Sequence, residues 1–254
     1  MARYEDDEIS ARVERLLTAQ PTAPPEARRV RRPFKVVARR EESRRHLALQ
    51  IEVDREFFQA YRRPGQYVTL KVPGWPARFF VVADCPSQGV WEFLVDRSGE
   101  LGPILGKLEV GEQLLISLPE GGGFDAVEAA QKTALLFCTG SGVATMRPLI
   151  GQWLESETSP SEIAMYYGEH DGRDFAYESL IASWEEAGVE VYRAVEVGGD
   201  EKFPHRYVQH AFAAHHPALD DAFAYLSGAP VMIQIVARKL MDRGIDPSRV
   251  KINI

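Results

Sequence analysis

The amino-acid sequence predicts a chain of β plus α/β class, in which an antiparallel β-domain precedes a parallel α/β sheet. Between residues 33 and 128, short runs of β-forming residues alternate with turn residues, as in a small antiparallel barrel or sandwich. From residue 129 to residue 254, strands alternate with amphipathic helical segments, which is typical of a parallel sheet. The length of 254 residues is sufficient for two domains that each have a core.

Residues 1–32 precede the first predicted strand. Apolar residues at helical spacing predict a short amphipathic helix over Tyr4–Ala19, which a group of prolines then ends. A basic run, Arg28–Arg32, leads into the β-domain. Two interpretations remain open: a solvated linker after a helix packed on the body, or an arm that docks a partner.

The β-domain, residues 33–128, contains six candidate strands separated by turns such as Pro64-Gly65 and Pro73-Gly74. The strands are Phe34–Ala38, Leu47–Val53, Gln66–Val72, Phe79–Ala83, Trp91–Val95 and Gln113–Leu118.

The α/β domain, residues 129–254, contains five candidate strands and four candidate helices. The strands are Ala134–Cys138, Ile163–Tyr167, Val189–Val195, Ala222–Leu226 and Val250–Ile252. The helices are Thr145–Glu155, Tyr177–Ala187, Tyr207–Ala214 and Val231–Asp242.

Composition and charge limit the partners. The net charge of −7 disfavours nucleic acid and anionic membranes as the main partner. The sequence contains only two cysteines, Cys85 and Cys138, and neither has a metal-ligand or iron–sulfur spacing around it. With no disulfide framework, no signal peptide and no apolar run long enough to insert in a membrane, we expect a cytoplasmic location.

The first motif of interest is a glycine-paired turn between a predicted strand and a predicted helix. Leu135–Cys138 is apolar, and Gly140-Ser141-Gly142 follows it at once. Glycines take backbone angles that other residues avoid, so a pyrophosphate can approach the main chain and the N–H groups that open the next helix. The alternative is a glycine-rich turn that only redirects the chain.

A second turn of this kind, Ser227-Gly228-Ala229-Pro230, follows the apolar strand Ala222–Leu226. Pro230 fits an early helical position, where its missing N–H is no loss. In an open α/β sheet, ligands bind beyond the carboxyl ends of strands where the strand order reverses. We therefore expect both turns to face one crevice.

The motifs together resemble the ferredoxin-NADP reductase superfamily over residues 33–254. In order they are P-G-Q-Y-V from Pro64, R-F-F-V from Arg78, E-F-L-V from Glu92, G-G-G-F from Gly121, G-S-G-V-A from Gly140, Y-Y-G from Tyr166 and S-G-A-P from Ser227. Within the superfamily they are most similar to a plant and bacterial fruit-protein-like group of FAD/NAD(P)-binding oxidoreductases. The resemblance implies a Greek-key β-barrel that holds FAD, a Rossmann-like sheet that holds NAD(P)H, and hydride transfer between the two cofactors.

The resemblance also implies flavin contacts in the β-domain. Arg78 corresponds to the arginine of the R-x-Y-S/T motif and would pair with a cofactor phosphate through its guanidinium fork. Phe80 and Val81 stand where that motif has tyrosine and a hydroxyl residue, and Gly102 lacks the hydroxyl that ends G-x-x-S/T. The implied flavin set is Arg78, Phe79, Phe80, Val81, Val95, Gly99 and Gly102. Because the hydroxyls are missing, a barrel without flavin is the alternative, and FAD versus FMN stays open.

On the nicotinamide side the motifs match more closely. Thr145 replaces the usual proline of the first turn, and Ser227 replaces the cysteine that lies beside the nicotinamide in the family. The resemblance gives Ser227 the catalytic position, from which its hydroxyl could donate a hydrogen bond. The implied dinucleotide contacts are Gly140, Ser141, Gly142, Val143, Thr145, Gly228, Ala229, Pro230 and Met232.

Glu169 follows Tyr167-Gly168 at the end of a predicted strand, where an adenosine ribose would bind. Its carboxylate could accept hydrogen bonds from the ribose hydroxyls and would repel a 2′-phosphate, which favours NADH. Arg173 is close enough in sequence to reverse this preference towards NADPH. The alternative for Glu169 is a charge on a solvated loop.

Other conspicuous residues have structural explanations. His205, His210, His215 and His216 fit a surface helix end, so we expect no metal site. Trp153, Trp184 and Cys138 fit the protein interior. The resemblance implies an NAD(P)H-dependent flavoprotein oxidoreductase that passes electrons through FAD to an unidentified acceptor, for which a protein is one candidate. The alternatives are a flavin-free dinucleotide-binding module and an electron-transfer subunit of a larger complex.

Overall fold

The computed structural model describes Ala11, Glu14 and residues 30–253. The helix predicted over Tyr4–Ala19 and the start of the basic run therefore lie outside the described residues, apart from those two positions. The chain divides into two compact units. The barrel unit comprises residues 30–125 together with Ala144–Ile150, and the sheet unit comprises Ala126–Val143 together with residues 151–253.

The barrel unit is an antiparallel sheet that curls into a half-barrel, with the strand order β4-β3-β7-β1-β2-β6-β5. Its strands are β1 (Arg31–Glu41), β2 (His46–Glu52), β3 (Tyr67–Lys71), β4 (Arg78–Val81), β5 (Asp84–Ser87), β6 (Val90–Asp96) and β7 (Gln113–Ser117). The neighbours β7 and β1 are distant in sequence, which is the Greek-key type of connection. The antiparallel β class predicted for this part of the chain is confirmed.

Strand β1 joins the two halves of this curled sheet. Arg31–Lys35 pair with β7, whereas the stretch from Val36 to Glu41 pairs with β2. The register shifts between Val36 and Ala38, and such a bulge bends a strand and increases its twist. One 11-residue strand thus serves both halves and runs well beyond the predicted Phe34–Ala38.

Three elements of the barrel unit lie outside the six candidate strands. Strand β5 contains Asp84 and Pro86, which are poor strand formers, and it lies at the sheet edge where proline is tolerated. Helix α1 (Arg55–Ala60) is short and begins where the Asp54 side chain accepts a hydrogen bond from Phe57 N, at 2.9 Å. A further short helix, α2 (Gly102–Leu105), follows β6.

The sheet unit has five parallel strands in the order β10-β9-β8-β11-β12. They are β8 (Thr133–Thr139), β9 (Glu162–Glu169), β10 (Glu190–Val195), β11 (Ala222–Ser227) and β12 (Val250–Ile252). Its helices are α3 (Val143–Leu154), whose first half belongs to the barrel unit, α4 (Glu178–Glu186), α5 (Val208–His215) and α6 (Pro230–Asp242). The predicted parallel α/β class is confirmed, and the helix and strand ends differ from the predicted ones by at most two residues.

The strand order reverses at β8. From β8 the chain adds β9 and β10 on one side, and it later adds β11 and β12 on the other. The carboxyl ends of β8 and β11 therefore flank a topological switch point, the usual location of ligands in such sheets.

The interior of the sheet unit contains the residues predicted for it. Trp153, Trp184 and Cys138 are buried, and Trp153 Nε1 donates a hydrogen bond to Ala126 O at 2.8 Å. Burial raises the pKa of the Cys138 thiol, which is therefore protonated rather than nucleophilic. Within the residues that the structure describes, no helix is both long enough and apolar enough to cross a membrane.

Candidate cofactor-binding site

Two turns lie side by side at the carboxyl edge of the parallel sheet. The GSG turn (Gly140–Gly142) is a short 3-10 segment between β8 and α3, and the SGAP turn (Ser227–Pro230) joins β11 to α6. Ser227 is in register with Cys138 of the neighbouring strand. The backbone N–H of Ala229 donates to Thr139 Oγ1 at 2.9 Å, so the SGAP turn is bonded to the strand residue that immediately precedes the GSG turn.

The glycines of these turns are required for two different reasons. Gly140 has a φ of +55°, and a Cβ there would meet no atom within 4 Å. Gly142 does not use the backbone freedom that glycine offers, because its φ is −59°, an ordinary helical value. Gly142 is needed because a Cβ would lie 2.5 Å from Ser227 O of the adjacent turn.

Gly228 combines both requirements. Its φ is +131°, and a Cβ would overlap the side chain and backbone of Thr139. The close approach of the two turns therefore depends on Gly142 and Gly228, whereas Gly140 leaves open space above the backbone. That open space is what a phosphate group approaching the main chain needs.

The exposed residues of the two turns are Ser141, Ala229 and Pro230. Pro230 is the first residue of α6, as predicted. Within the described part of the chain, no side chain caps the start of α3 or α6. The first N–H groups of these two helices are thus not used by capping side chains, and the helix dipoles favour an anion there.

Four other predicted dinucleotide contacts are buried. Ser227 is 5% exposed at the end of β11, and Met232 belongs to the hydrophobic core under α6. Val143 and Thr145 in the first turn of α3 have no exposed surface. Their side chains pack inside the protein, so any contact they make with a ligand must come from the backbone or follow a local rearrangement.

Glu169 ends β9 and is only 7% exposed, which contradicts the solvated-loop alternative. The Tyr167 hydroxyl donates to Glu169 Oε1 at 2.8 Å. Burial, together with the nearby carboxylate, raises the pKa of the Tyr167 hydroxyl well above its usual value. A buried, hydrogen-bonded carboxylate, that of Glu169, therefore lies at the carboxyl end of the sheet.

The neighbouring charges at this edge are mostly acidic. Arg173, the predicted counterweight to Glu169, forms a bidentate pair with Asp171, with both N–O distances at 2.9 Å. These hydrogen bonds raise the pKa of Arg173. After β10, Glu196 contacts His170 Nδ1 at 3.1 Å. Sequence reasoning missed Asp171 and Glu196, although both follow strands that were predicted.

In the barrel unit the two flavin motifs come together. Arg78 begins β4, and its guanidinium contacts the carboxylate of Glu100, which lies in the Gly99–Gly102 segment. Gly102 is buried and packs against the backbone of Asp96, where a Cβ would overlap Asp96 O. The small size of Gly102 therefore serves backbone packing. Gly99 is exposed.

The remaining flavin candidates lie at different depths. Phe79 is 56% exposed and makes an edge contact with Tyr67 at 5.2 Å between ring centroids. Phe80 is half-buried against the barrel core, Val81 is also half-buried, and Val95 lies inside that core. Arg78 and Phe79 are thus the side chains of this set that a ligand can reach most directly.

The donor chemistry fits both cofactors, each within its own unit. An accessible guanidinium that already contacts one anion suits a flavin phosphate, and the open backbone at Gly140 beside uncapped helix starts suits a dinucleotide.

No group of three or more His, Cys, Asp or Glu side chains among the described residues could hold a metal. His215 instead accepts or donates a 2.6 Å hydrogen bond with the Tyr166 hydroxyl and stacks on Tyr192.

Comparisons with known proteins agree with this geometry. A family model described as the oxidoreductase NAD-binding domain matches residues 136–238. The gamma subunit of sulfhydrogenase 2 from Pyrococcus furiosus is 25% identical over 203 residues, covering 74% of this chain and 70% of that subunit. Fruit protein pKIWI502 from Actinidia deliciosa is 26% identical over 214 residues, covering 74% of this chain and 64% of that protein.

Solved structures share the fold. The ferredoxin reductase in carbazole 1,9a-dioxygenase superposes with a TM-score of 0.75 at 22% identity, covering 90% of this chain and 70% of that chain.

Proposed function

We propose that this chain, as a member of the ferredoxin-NADP reductase superfamily of FAD-dependent NAD(P)H oxidoreductases, oxidises NADH. The electrons then pass to a separate acceptor. The observation that carries the proposal is the close approach of the GSG and SGAP turns at the switch point of the sheet, where Gly142 lies against Ser227 O. Two adjacent turns with exposed backbone and uncapped helix starts suit the diphosphate and ribose of one dinucleotide.

Within this proposal the two units have separate roles. Arg78 holds a flavin phosphate through its guanidinium fork, and the Gly99–Gly102 segment contributes backbone beside it. When bound, FAD supplies the ring that accepts a hydride and can release electrons one at a time. The protein binds and orients the cofactors, so no acid–base pair or nucleophile is required of its side chains.

The preference for NADH rests on charge at the carboxyl edge of the sheet. Glu169 is buried and ordered by Tyr167, and Glu196 follows the neighbouring strand. Arg173, the one nearby cation that the sequence indicated, is already paired with Asp171. A 2′-phosphate carries additional negative charge into this acidic region, whereas ribose hydroxyls can donate hydrogen bonds to its carboxylates.

The acceptor is proposed to lie outside this chain. The sequence has two cysteines, which cannot supply the four thiolates of a typical iron–sulfur cluster. The similarity to a protein named as the gamma subunit of sulfhydrogenase 2 supports a role as one subunit of a larger assembly. A protein carrier is therefore the class of acceptor we favour.

The test is reduction of bound flavin by NADH. The purified protein, incubated with FAD and freed of excess, is expected to show a flavin spectrum that bleaches when NADH is added without oxygen. Arg78→Ala should lose the flavin while its far-ultraviolet circular dichroism stays unchanged, and Arg39→Ala, on the same sheet, is the control. A folded protein that never takes up FAD or FMN but still binds NADH would instead establish the flavin-free binding module.

A further inference from the structure

The ion pair between Arg78 and Glu100 joins the two flavin motifs, and the sequence did not predict this pair. We propose that the Glu100 carboxylate competes with the flavin phosphates for the Arg78 guanidinium and thereby weakens FAD and FMN binding. This inference rests on the proposed function, because it requires Arg78 to bind a flavin phosphate. Glu100 then acts as an affinity-determining residue of the flavin site.

Two of the three guanidinium nitrogens of Arg78 already donate hydrogen bonds. One guanidinium nitrogen donates to Ala77 O at 3.0 Å, and another contacts the Glu100 carboxylate. Carboxylates and phosphates are both recognised by the same forked arrangement of N–H donors. A flavin phosphate that binds Arg78 must therefore displace the Glu100 carboxylate or lie beside a like charge.

The backbone that carries Glu100 is held in place, so the carboxylate remains nearby after displacement. Gly99 N donates to Asp96 O at 3.2 Å, and both the backbone N and the hydroxyl of Ser98 donate to Asp96 Oδ1. Asp96 is itself held by the Arg45 fork at 2.9 and 2.8 Å. On the other side of Glu100, Gly102 leaves no room for a Cβ against Asp96 O.

The expected size of the effect on FAD affinity follows from the solvent exposure of the two side chains. The Arg78 and Glu100 side chains are 43% and 74% exposed, and exposed ion pairs are screened by solvent. Removing the carboxylate charge is therefore expected to tighten FAD binding about fivefold at low ionic strength. The gain should shrink at high salt, where the interaction of the phosphate with both side chains is screened.

The experiment measures dissociation constants of FAD, FMN and riboflavin by quenching of flavin fluorescence. Four proteins are compared: wild type, Glu100→Gln, Arg78→Ala and the double variant. Glu109→Gln is the matched control, because Glu109 is 72% exposed, pairs with Arg39 at 2.8 Å and lies in the same unit. Thermal unfolding monitored by circular dichroism verifies that each variant is folded.

We expect Glu100→Gln to bind FAD and FMN more tightly and riboflavin, which has no phosphate, unchanged. The gain should vanish in the Arg78→Ala background and be absent in Glu109→Gln. If wild type binds FAD and Glu100→Gln binds it equally or more weakly, the competition is refuted while the proposed function stands. An equal gain for riboflavin also refutes it. If neither wild type nor Glu100→Gln binds any flavin, the flavin site and the competition are both wrong.

Discussion

We expect the glycines of the two turns to make separable contributions to folding and to binding. Gly142 and Gly228 let neighbouring backbones approach each other, whereas Gly140 has a positive φ and open space where its Cβ would be. Motif reasoning from the sequence treats Gly140 and Gly142 alike. The register of β8 against β11 is what distinguishes them, because it brings Ser227 O beneath Gly142.

We expect Gly142→Ala to destabilise the fold more than Gly140→Ala. The first change forces backbone to move, whereas the second costs about 1 kcal/mol of strain at a positive φ. Gly140→Ala should nevertheless weaken NADH binding, because its methyl group projects into the space proposed for the phosphate. Gly151→Ala, within helix α3 and also without neighbours, is the control and should stabilise by about 0.5–1 kcal/mol. Urea unfolding and NADH titration distinguish the three variants.

We expect single residues to decide nucleotide selectivity as well. Asp171→Asn removes the charge that holds Arg173, and we expect NADPH binding to improve about threefold relative to NADH. Adding Arg173→Ala should cancel that gain, since the freed guanidinium is its source. The measurement is titration with 2′,5′-ADP and 5′-AMP, which differ in the 2′-phosphate. An unchanged ratio in Asp171→Asn would mean that Arg173 does not reach the ribose.

At the scale of elements, the first half of helix α3 is attached to the barrel strands by buried charges. Arg147 contacts Glu92 on β6 and Asp84 on β5, and the Glu92 side chain has no exposed surface. Glu92 also accepts a hydrogen bond from Gln50 Nε2 at 2.9 Å. These partners are separated by 55 and 63 residues, so no local pattern in the sequence indicates them.

Removing one member of this network should be costly. We expect Arg147→Met to lower the free energy of unfolding by about 3 kcal/mol, because the buried Glu92 carboxylate then loses this guanidinium and keeps Gln50 and a longer ion pair with Arg40 at 3.5 Å. Replacing Glu92 by Gln in the same protein should recover part of the loss. Glu109→Gln, which breaks an exposed pair, should cost less than about 1 kcal/mol. Equal losses in Arg147→Met and Glu109→Gln, measured by urea unfolding, would show that the network contributes no more than a surface pair.

At the scale of the whole molecule, strand and helix patterns predict both units and the adjacency of the two turns. Residue types and hydrophobic periodicity carry that information because buried parallel strands such as β8 and β11 are almost wholly apolar. The pairs Arg78–Glu100 and Arg147–Glu92 could not be predicted, since they depend on which strands become neighbours. Edge strand β5 escaped prediction because it is short, polar and contains proline.

The division into two units predicts that each cofactor stabilises its own part of the chain. A ligand at 100 times its dissociation constant stabilises the folded state by about 2.7 kcal/mol, and hydrogen exchange reports where that protection arises. FAD should slow exchange in β4 and the Gly99–Gly102 segment, and NAD⁺ should slow it in the GSG and SGAP turns. Arg78→Ala should abolish the protection by FAD and keep the protection by NAD⁺. Gly140→Ala should abolish the protection by NAD⁺ and keep the protection by FAD. Protection by NAD⁺ that is confined to the barrel unit would contradict the assignment of the dinucleotide to the switch point of the parallel sheet.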